Sequence, residues 1–254
     1  MAAAGWHPER VTPTDQAATD PTATDQVPRR RSIVSFVHRG GRMTVGQDRA
    51  WERSWPALGK QVPDLPPGPL DAVSWFGREA PLLLEIGSGM GETTSLLAQA
   101  EPGTNYLAVD VFQPGLAQLI LRVEAMGLTN LRMLRGDAVE LLSEHIAPGA
   151  LAGARIYFPD PWPKKKHHKR RLVQPDFVAL LASRLVPGGT LHLATDWEHY
   201  AEQMLEVLSG EPLLRNRYDG WAPRPDWRPV TKFESRAREE GRISRDLIFE
   251  RVND

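Results

Sequence analysis

From Pro81 onward the sequence alternates short apolar runs with amphipathic stretches, and that alternation limits the fold more than any other feature. "PLLLEIG" reads as a buried strand, "ETTSLLAQA" as a helix, "NYLAVDV" as a strand and "PGLAQLILRVEAMG" as a helix, with Pro114 near its start and Gly127 at its stop. "NLRMLRGDA" and "ARIYFPD" read as the third and fourth strands, and "QPDFVALLASRLVPGG" as a helix closed by a Pro-Gly-Gly turn. "TLHLATD" is a fifth strand and "WEHYAEQMLEVLSG" a further helix. "RISRDLIFERV" alternates apolar and polar residues, as a late antiparallel strand does. Strand and helix in repeated succession predict an open α/β sheet with helices on both faces. Such sheets bind ligands beyond the carboxyl ends of their strands, where the strand order reverses.

Four of the strands finish in an acid: Glu85, Asp110, Asp137 and Asp160. The first two flank a glycine loop, "EIGSGMGE", in which Gly87, Gly89 and Gly91 allow a sharp turn and close approach of a ligand to the backbone. A tight strand–helix turn needs the same glycines, so the loop alone is a weak signal. Asp110 stands about 20 residues beyond the loop, where a carboxylate accepts hydrogen bonds from ribose hydroxyls. Nicotinamide-dependent oxidoreductases and methyltransferases share that spacing. Glu85 separates them, because a pyrophosphate is repelled by an acid beside its cradle, whereas S-adenosylmethionine carries an ammonium and a sulfonium and no phosphate.

Asp160 lies between Pro159 and Pro161 in "FPDPWPKKKHHKRR", with Trp162 next to it. Prolines fix backbone torsions, so the turn is expected to hold carboxylate and indole stiffly. An aromatic ring beside an acid can stack on a base while the acid reads its N–H edge. Lys164, Lys165, Lys166, Lys169, Arg170 and Arg171 follow, with His167 and His168 among them and no acid in the run. Such a run can be a solvated loop; beside a nucleotide-binding sheet it reads as a grip on phosphates. The surrounding cations are expected to lower the pKa of both histidines, and without nearby acids neither is a metal ligand.

The protein as a whole is close to neutral, at −1 over 254 residues, so the charge is local. A second basic stretch, Arg29–Arg53, has seven Arg against Asp48 and Glu52, and Arg39 and Arg42 in it are candidates to grip RNA or to cap the ligand cleft. Residues 1–30, rich in Thr, Ala, Asp, Gln and Pro, read as a disordered tail, followed by a basic arm over 31–60 and one domain to residue 254. "VPDLPPGPLDAVSWFG" reads as a Pro-rich connector leading into a short element. The absence of cysteine excludes disulfides, thiol catalysis and thiolate-bound metals, and it fits a reducing cytoplasm. There is neither an uncharged apolar run of about 18 residues nor an apolar segment at the start of the chain, which predicts neither a membrane span nor a secretory signal.

On "GRMTVGQ" (41–47), "LEIGSGMGE" (84–92), "FPDPWPKKKHHKRRLVQP" (158–175), "LATDWEHYA" (193–201) and "RPVTKFESRA" (228–237), the chain resembles the bacterial tRNA (guanine-N7-)-methyltransferases over about residues 31–254. The resemblance implies the class I methyltransferase fold, a doubly wound, mostly parallel seven-stranded sheet. It implies S-adenosylmethionine as methyl donor, no metal, tRNA as partner and the variable-loop guanosine as target. A monomer is expected, with a homodimer as the alternative, in the cytoplasm. By the same resemblance Glu85, Asp110, Asp137 and Asp160 face the donor, with Asp110 where Glu is frequent. Lys164, Asp196 and the segment Thr231, Lys232, Phe233 and Glu234 contact the substrate nucleotide, and Lys166, His167, His168, Lys169, Arg170 and Arg171 contact RNA. Trp162, Phe233 and Trp197 are candidate stacking surfaces, although Trp197 at a helix start suits core packing better. A non-enzymatic RNA-binding protein on the same fold is the remaining alternative, and an intact glycine loop with an intact set of acids argues against it.

Overall fold

The computed structural model describes residues 1, 35, 36 and 40–253, so the expected tail, like Arg39, lies outside the described residues. The chain divides into Met1–Ser32 and Ile33–Asp254, and the helices and strands belong to the second unit.

The basic arm is in large part a helix, α1 (Val45–Leu58). Thr44 and Gln47 start it with a reciprocal cap: the Gln47 N–H donates to Thr44 Oγ1 at 3.3 Å and the Thr44 N–H to Gln47 Oε1 at 2.9 Å. Trp51 and Trp55 stack with ring centroids 3.9 Å apart. Gly59 follows because any side chain there would meet the Trp55 ring at 2.2 Å. The elements that follow are β1 (Gly59–Gln61), α2 (Ala72–Phe76), β2 (Leu82–Ile86), α3 (Glu92–Ala100), β3 (Asn105–Asp110), α4 (Gln113–Met126) and β4 (Leu131–Arg135). Then come α5 (Ala138–Glu144), β5 (Leu151–Tyr157), α6 (Pro175–Arg184), β6 (Leu185–Thr195), α7 (Glu198–Ser209), β7 (Leu214–Asn216), α8 (Lys232–Glu239) and β8 (Arg245–Arg251).

The sheet order is β1-β4-β3-β2-β5-β6-β8-β7, with β8 antiparallel to both its neighbours and the other pairs parallel. The sheet has eight strands where seven were expected. The extra one is β1, whose Gly59, Lys60 and Gln61 lie against Met133, Leu134 and Arg135 of β4. Its three residues form no apolar run, so it has no hydrophobic signature. A second difference concerns "LVPGG". Its Pro-Gly-Gly does not close the preceding helix; α6 stops at Arg184, and Leu185 is already extended at φ −72°, ψ 146°. The segment becomes the first, bulged part of β6, its register shifting between Leu151 and Gly153 of β5.

Alternate residues of the strands fill two cores. Leu82, Leu84 and Ile86 pack with α5, α6 and α7, whereas Leu83, Tyr106 and Ala108 pack with α1, α3 and α4. Each such fully buried leucine contributes about 1.5–3 kcal/mol. The alternation sends Glu85 to the same face as Leu83, and this is how an acid comes to lie inside an otherwise apolar strand.

Candidate active site

The chain runs from β2 outward through β3 and β4, then returns to lay β5 on the other side of β2. The carboxyl ends of β2 and β5 therefore flank the topological switch point. Ile86 is in register with Ile156, so the glycine loop and the Phe158–Pro159–Asp160 turn leave neighbouring strands at one end of the sheet.

Gly87, Gly89 and Gly91 have φ of 80°, 55° and 70°, a region other residues avoid. Over Gly87 and Gly89 no atom lies within 4 Å of where a Cβ would stand, which leaves the loop open to a ligand. Asp110 holds the loop in place: its carboxylate accepts the Gly89 N–H at 2.7 Å and the Phe112 N–H at 2.8 Å. Asp137 caps α5, accepting the Val139 N–H at 2.8 Å. Glu85 is buried, and its Oε2 has no hydrogen-bond partner; the same is true of Ser88 Oγ beside it. Burial pushes the Glu85 carboxyl up to about 7, with the Thr94 hydroxyl, and after it Arg155 on the neighbouring strand, pulling the other way. An open loop, buried unpartnered oxygens and three acids fit a ligand with a cationic end and hydroxyl groups.

Across the switch point, Phe158 and Trp162 bracket the Pro-Asp-Pro turn with φ of 49° and 44°, both left-handed. Asp160 is half-buried between them. The Trp162 indole N–H donates to the Ser35 carbonyl at 3.1 Å, and its ring meets His167 edge-on at 5.9 Å and Arg170 at 4.9 Å. The basic stretch forms a single 3-10 turn over Lys165–Arg170, with Lys164, Lys165, Lys166, Lys169 and Arg170 exposed. Partial burial first, and then the charges around them, lower the pKa of His167 and His168.

Arg171 departs from the expected RNA contact. It is 2% exposed; its Nε donates to the Pro161 carbonyl at 2.9 Å, its Nη1 donates to Gln203 Oε1 at 2.6 Å, and its guanidinium lies over the Tyr200 ring. The chain turns inward here because Val173 enters the core. The sixth cation thus ties the Asp160 turn to α7.

Glu234 departs in the same way. It too is buried, at 1% exposed, and its carboxylate accepts hydrogen bonds from Arg224, Arg228 and Arg238 at 2.7–2.8 Å. Burial works against its ionisation, and the Arg224 and Arg228 guanidiniums override it, holding the carboxyl below its usual range. Thr231 caps α8, accepting the Glu234 N–H at 3.1 Å. Phe233 is exposed, stacks on Phe158 at 6.3 Å and lies beneath the Lys232 ammonium. Asp196 accepts Arg242 Nε at 2.8 Å and lines a cleft of about 420 Å³ with Trp197, His199 and Arg245. Trp197 starts α7 and packs on the core. Arg42 is exposed, and the neighbouring Gly41 lies against Phe112 and Pro114 at the start of α4. Among the described residues no cluster of His, Asp and Glu could hold a metal, and no helix is long and apolar enough to cross a membrane.

The family model described as "Putative methyltransferase" matches residues 79–247. A tRNA (guanine-N(7)-)-methyltransferase of Bordetella pertussis is 54% identical over 250 residues, 97% of either chain. The chain belongs to the tRNA (guanine-N(7)-)-methyltransferase family. The Streptomyces coelicolor enzyme of that name is 50% identical over 224 residues, 87% of this chain and 82% of its own. The crystal structure of the 16S rRNA methyltransferase KamB superposes with a TM-score of 0.52 at 13% identity, covering 73% of this chain and 95% of that one, which shows the shared class I fold. Phe158 and Arg228 also lie at this end of the sheet, in contact with one another, and residue type alone assigns neither a role; "FPDPW" and "RPVTKFE" are the only sequence signals near them.

Proposed function

We propose that the protein is a cytoplasmic enzyme that methylates N7 of the variable-loop guanosine of tRNA, using S-adenosylmethionine. The observation that carries this reading is the arrangement at the switch point: an open glycine loop with the buried Glu85 on one strand end, and on the next a carboxylate turn continuous with exposed cations.

Bound S-adenosylmethionine supplies an electrophilic methyl group on a sulfonium. Glu85 takes its ammonium, Asp110 and Asp137 its hydroxyl-bearing and base portions, and the backbone of Gly87 and Gly89 gives it room. Guanine N7 has an in-plane lone pair and no proton, so no side chain has to act as a base. The protein's contribution is to position the base and stabilise charge. The purine becomes cationic as the bond forms; Asp160, with Asp196, offsets that charge and accepts from the guanine N–H groups. Phe233 offers a face for stacking, and Thr231, Lys232 and Lys164 stand around the nucleotide. Lys166, Lys169 and Arg170, with His167 and His168, follow the backbone phosphates. A base engaged in folded tRNA has to be loosened or turned out to reach such a site, and stacking on protein rings offsets part of that cost.

The test is to incubate the protein with S-adenosylmethionine and tRNA lacking the modification, then map N7-methylguanosine along the RNA. Methylation at the variable-loop guanosine is expected. Methylation elsewhere, or none, overturns the reading.

A further inference from the structure

Beneath the chain that leads into α8 runs a file of buried polar side chains to which the reaction described above gives no role. Tyr157 on β5, His192 on β6 and Asp246 on β8 lie on the sheet face that also carries Glu85 and Arg155. Burial lowers the pKa of His192 despite the carboxylate beside it, so the ring is neutral and has one N–H to give. That proton belongs on Nε2, 2.7 Å from Asp246 Oδ1, which leaves Nδ1 to accept from the Tyr157 hydroxyl at 2.9 Å.

From above, Arg228 completes the file. Its side chain is fully buried. Nε and Nη2 donate to the two oxygens of Asp246 at 2.9 and 3.0 Å, while Nη1 donates to Glu234 Oε2 at 2.8 Å. The guanidinium lies 5.8 Å from the centre of the Phe158 ring and 5.7 Å from that of Tyr157. Phe158 is held at φ 49° two residues before Asp160, and its outer side stacks on Phe233. One planar fork therefore spans the strand carrying Asp246, the ring that heads the Asp160 turn and the carboxylate of α8. The five donors of an arginine have a fixed geometry, which makes such a fork a spacer as well as a charge partner.

We infer that Arg228 is a positioning residue for methyl transfer: it fixes Phe158 and, through the Phe158–Phe233 stack, the exposed ring against which the target base rests, and Glu234 acts through Arg228 instead of touching the nucleotide. The inference rests on the proposed function, because it needs a base to be held against the Asp160 turn and residues 231–233. It assigns Glu234 a role different from the nucleotide contact that the family resemblance implies. It also explains why a carboxylate whose oxygens are taken by three arginines stands next to exposed Phe233.

Arg228→Lys keeps the charge and loses the fork. Assayed well below its own melting midpoint, this variant is expected to lose at least tenfold in kcat, with Kd for S-adenosylmethionine and for tRNA each within about twofold of the parent. A folded variant with unchanged kcat overturns the inference, as does one in which both Kd values weaken and kcat holds, the pattern of a merely structural brace. Should Arg228→Lys fail to fold, Phe158→Ala removes the ring and leaves the charged file in place. It is expected to show the same loss of kcat with both Kd values retained, and unchanged kcat again overturns the inference. Glu234→Gln is expected to lower kcat and leave KM for tRNA in place; a rise in KM alone would return Glu234 to nucleotide contact and overturn its assignment. If the unmodified protein forms no N7-methylguanosine, the proposed function fails instead, so the two failures are distinct.

Discussion

Arg171 donates from Nε to the carbonyl oxygen of Pro161 at 2.9 Å, so the last cation of the basic stretch fastens the Asp160 turn from below. Its Nη1 faces Gln203 and His199 of α7. Five cations of the stretch lie outside and one inside, and the two groups should behave differently in an RNA-binding measurement.

Arg171→Ala removes a buried donor and leaves the Pro161 carbonyl and the Gln203 side chain without it, which costs about 2–3 kcal/mol of stability. The slope of log affinity for tRNA against log salt should not change. Lys166→Ala and Lys169→Ala should leave the melting midpoint in place and each flatten that slope by about 1. Filter binding across a salt series, with a thermal melt of each variant, separates the two. A flattened slope for Arg171→Ala would put it on the phosphate path.

Glu85 predicts a pH dependence whose sign can be worked out. Its carboxyl is raised from 4.5 to about 7 in the folded protein, so between those values the folded state holds a proton that the unfolded state has lost. The stability it contributes is fully present below the unfolded pKa and declines as pH rises through the folded one, by up to about 3 kcal/mol. Glu85→Gln should abolish that part of the ligand-free melting curve's dependence between about pH 5 and 7. Binding of the cationic methyl donor favours the ionised form, so below pH 7 binding should release a proton and weaken as pH falls. Calorimetry in two buffers of different ionisation enthalpy measures the release. An equal release from Glu85→Gln would locate the proton elsewhere.

Gly115 sets how close the glycine loop comes to α4. A Cβ at this position would lie 2.2 Å from the Gly89 carbonyl oxygen and 3.0 Å from the Phe112 ring. Neither backbone oxygen nor loop can yield without moving the segment that Asp110 pins. Gly115→Ala should therefore raise Kd for S-adenosylmethionine at least tenfold, about 1.4 kcal/mol. Gly103→Ala, where a Cβ meets nothing within 4 Å, should leave it unchanged. Equal binding by both variants would detach the loop from donor binding.

Much of the sheet was readable because apolar runs and glycine stops carry periodic signals: α3 and β3 fall where the pattern predicts them, and β8 is antiparallel as its alternation implies. Of the acids read as strand ends, Asp110 closes β3, whereas Glu85 lies inside β2, Asp137 follows β4 as the cap of α5, and Asp160 follows β5 in the turn. What the pattern hid was depth. Arg171 and Arg228 are cations among cations, and only tertiary partners distinguish a buried fork from a solvated one. Glu234 lies three residues after Thr231, the spacing of a helix cap, yet the arginines that bury it come from 224, 228 and 238 and look like surface charge in one dimension. Helix α1 had a readable start in Thr44 and Gln47, but its many charged residues weakened the apolar stripe that would have announced the rest.

Asp160→Asn tests the chemistry itself. Asparagine keeps the shape of the side chain and one acceptor oxygen, and it removes the negative charge. If the carboxylate offsets the positive charge that develops on guanine, the loss falls on the transition state more than on the ground state. Turnover should drop by at least an order of magnitude while tRNA binding is largely kept. Single-turnover methylation of tRNA by parent and variant, with filter binding of each, reads both quantities. Unchanged turnover would remove Asp160 from the mechanism and leave it as a link in the turn that Arg171 holds.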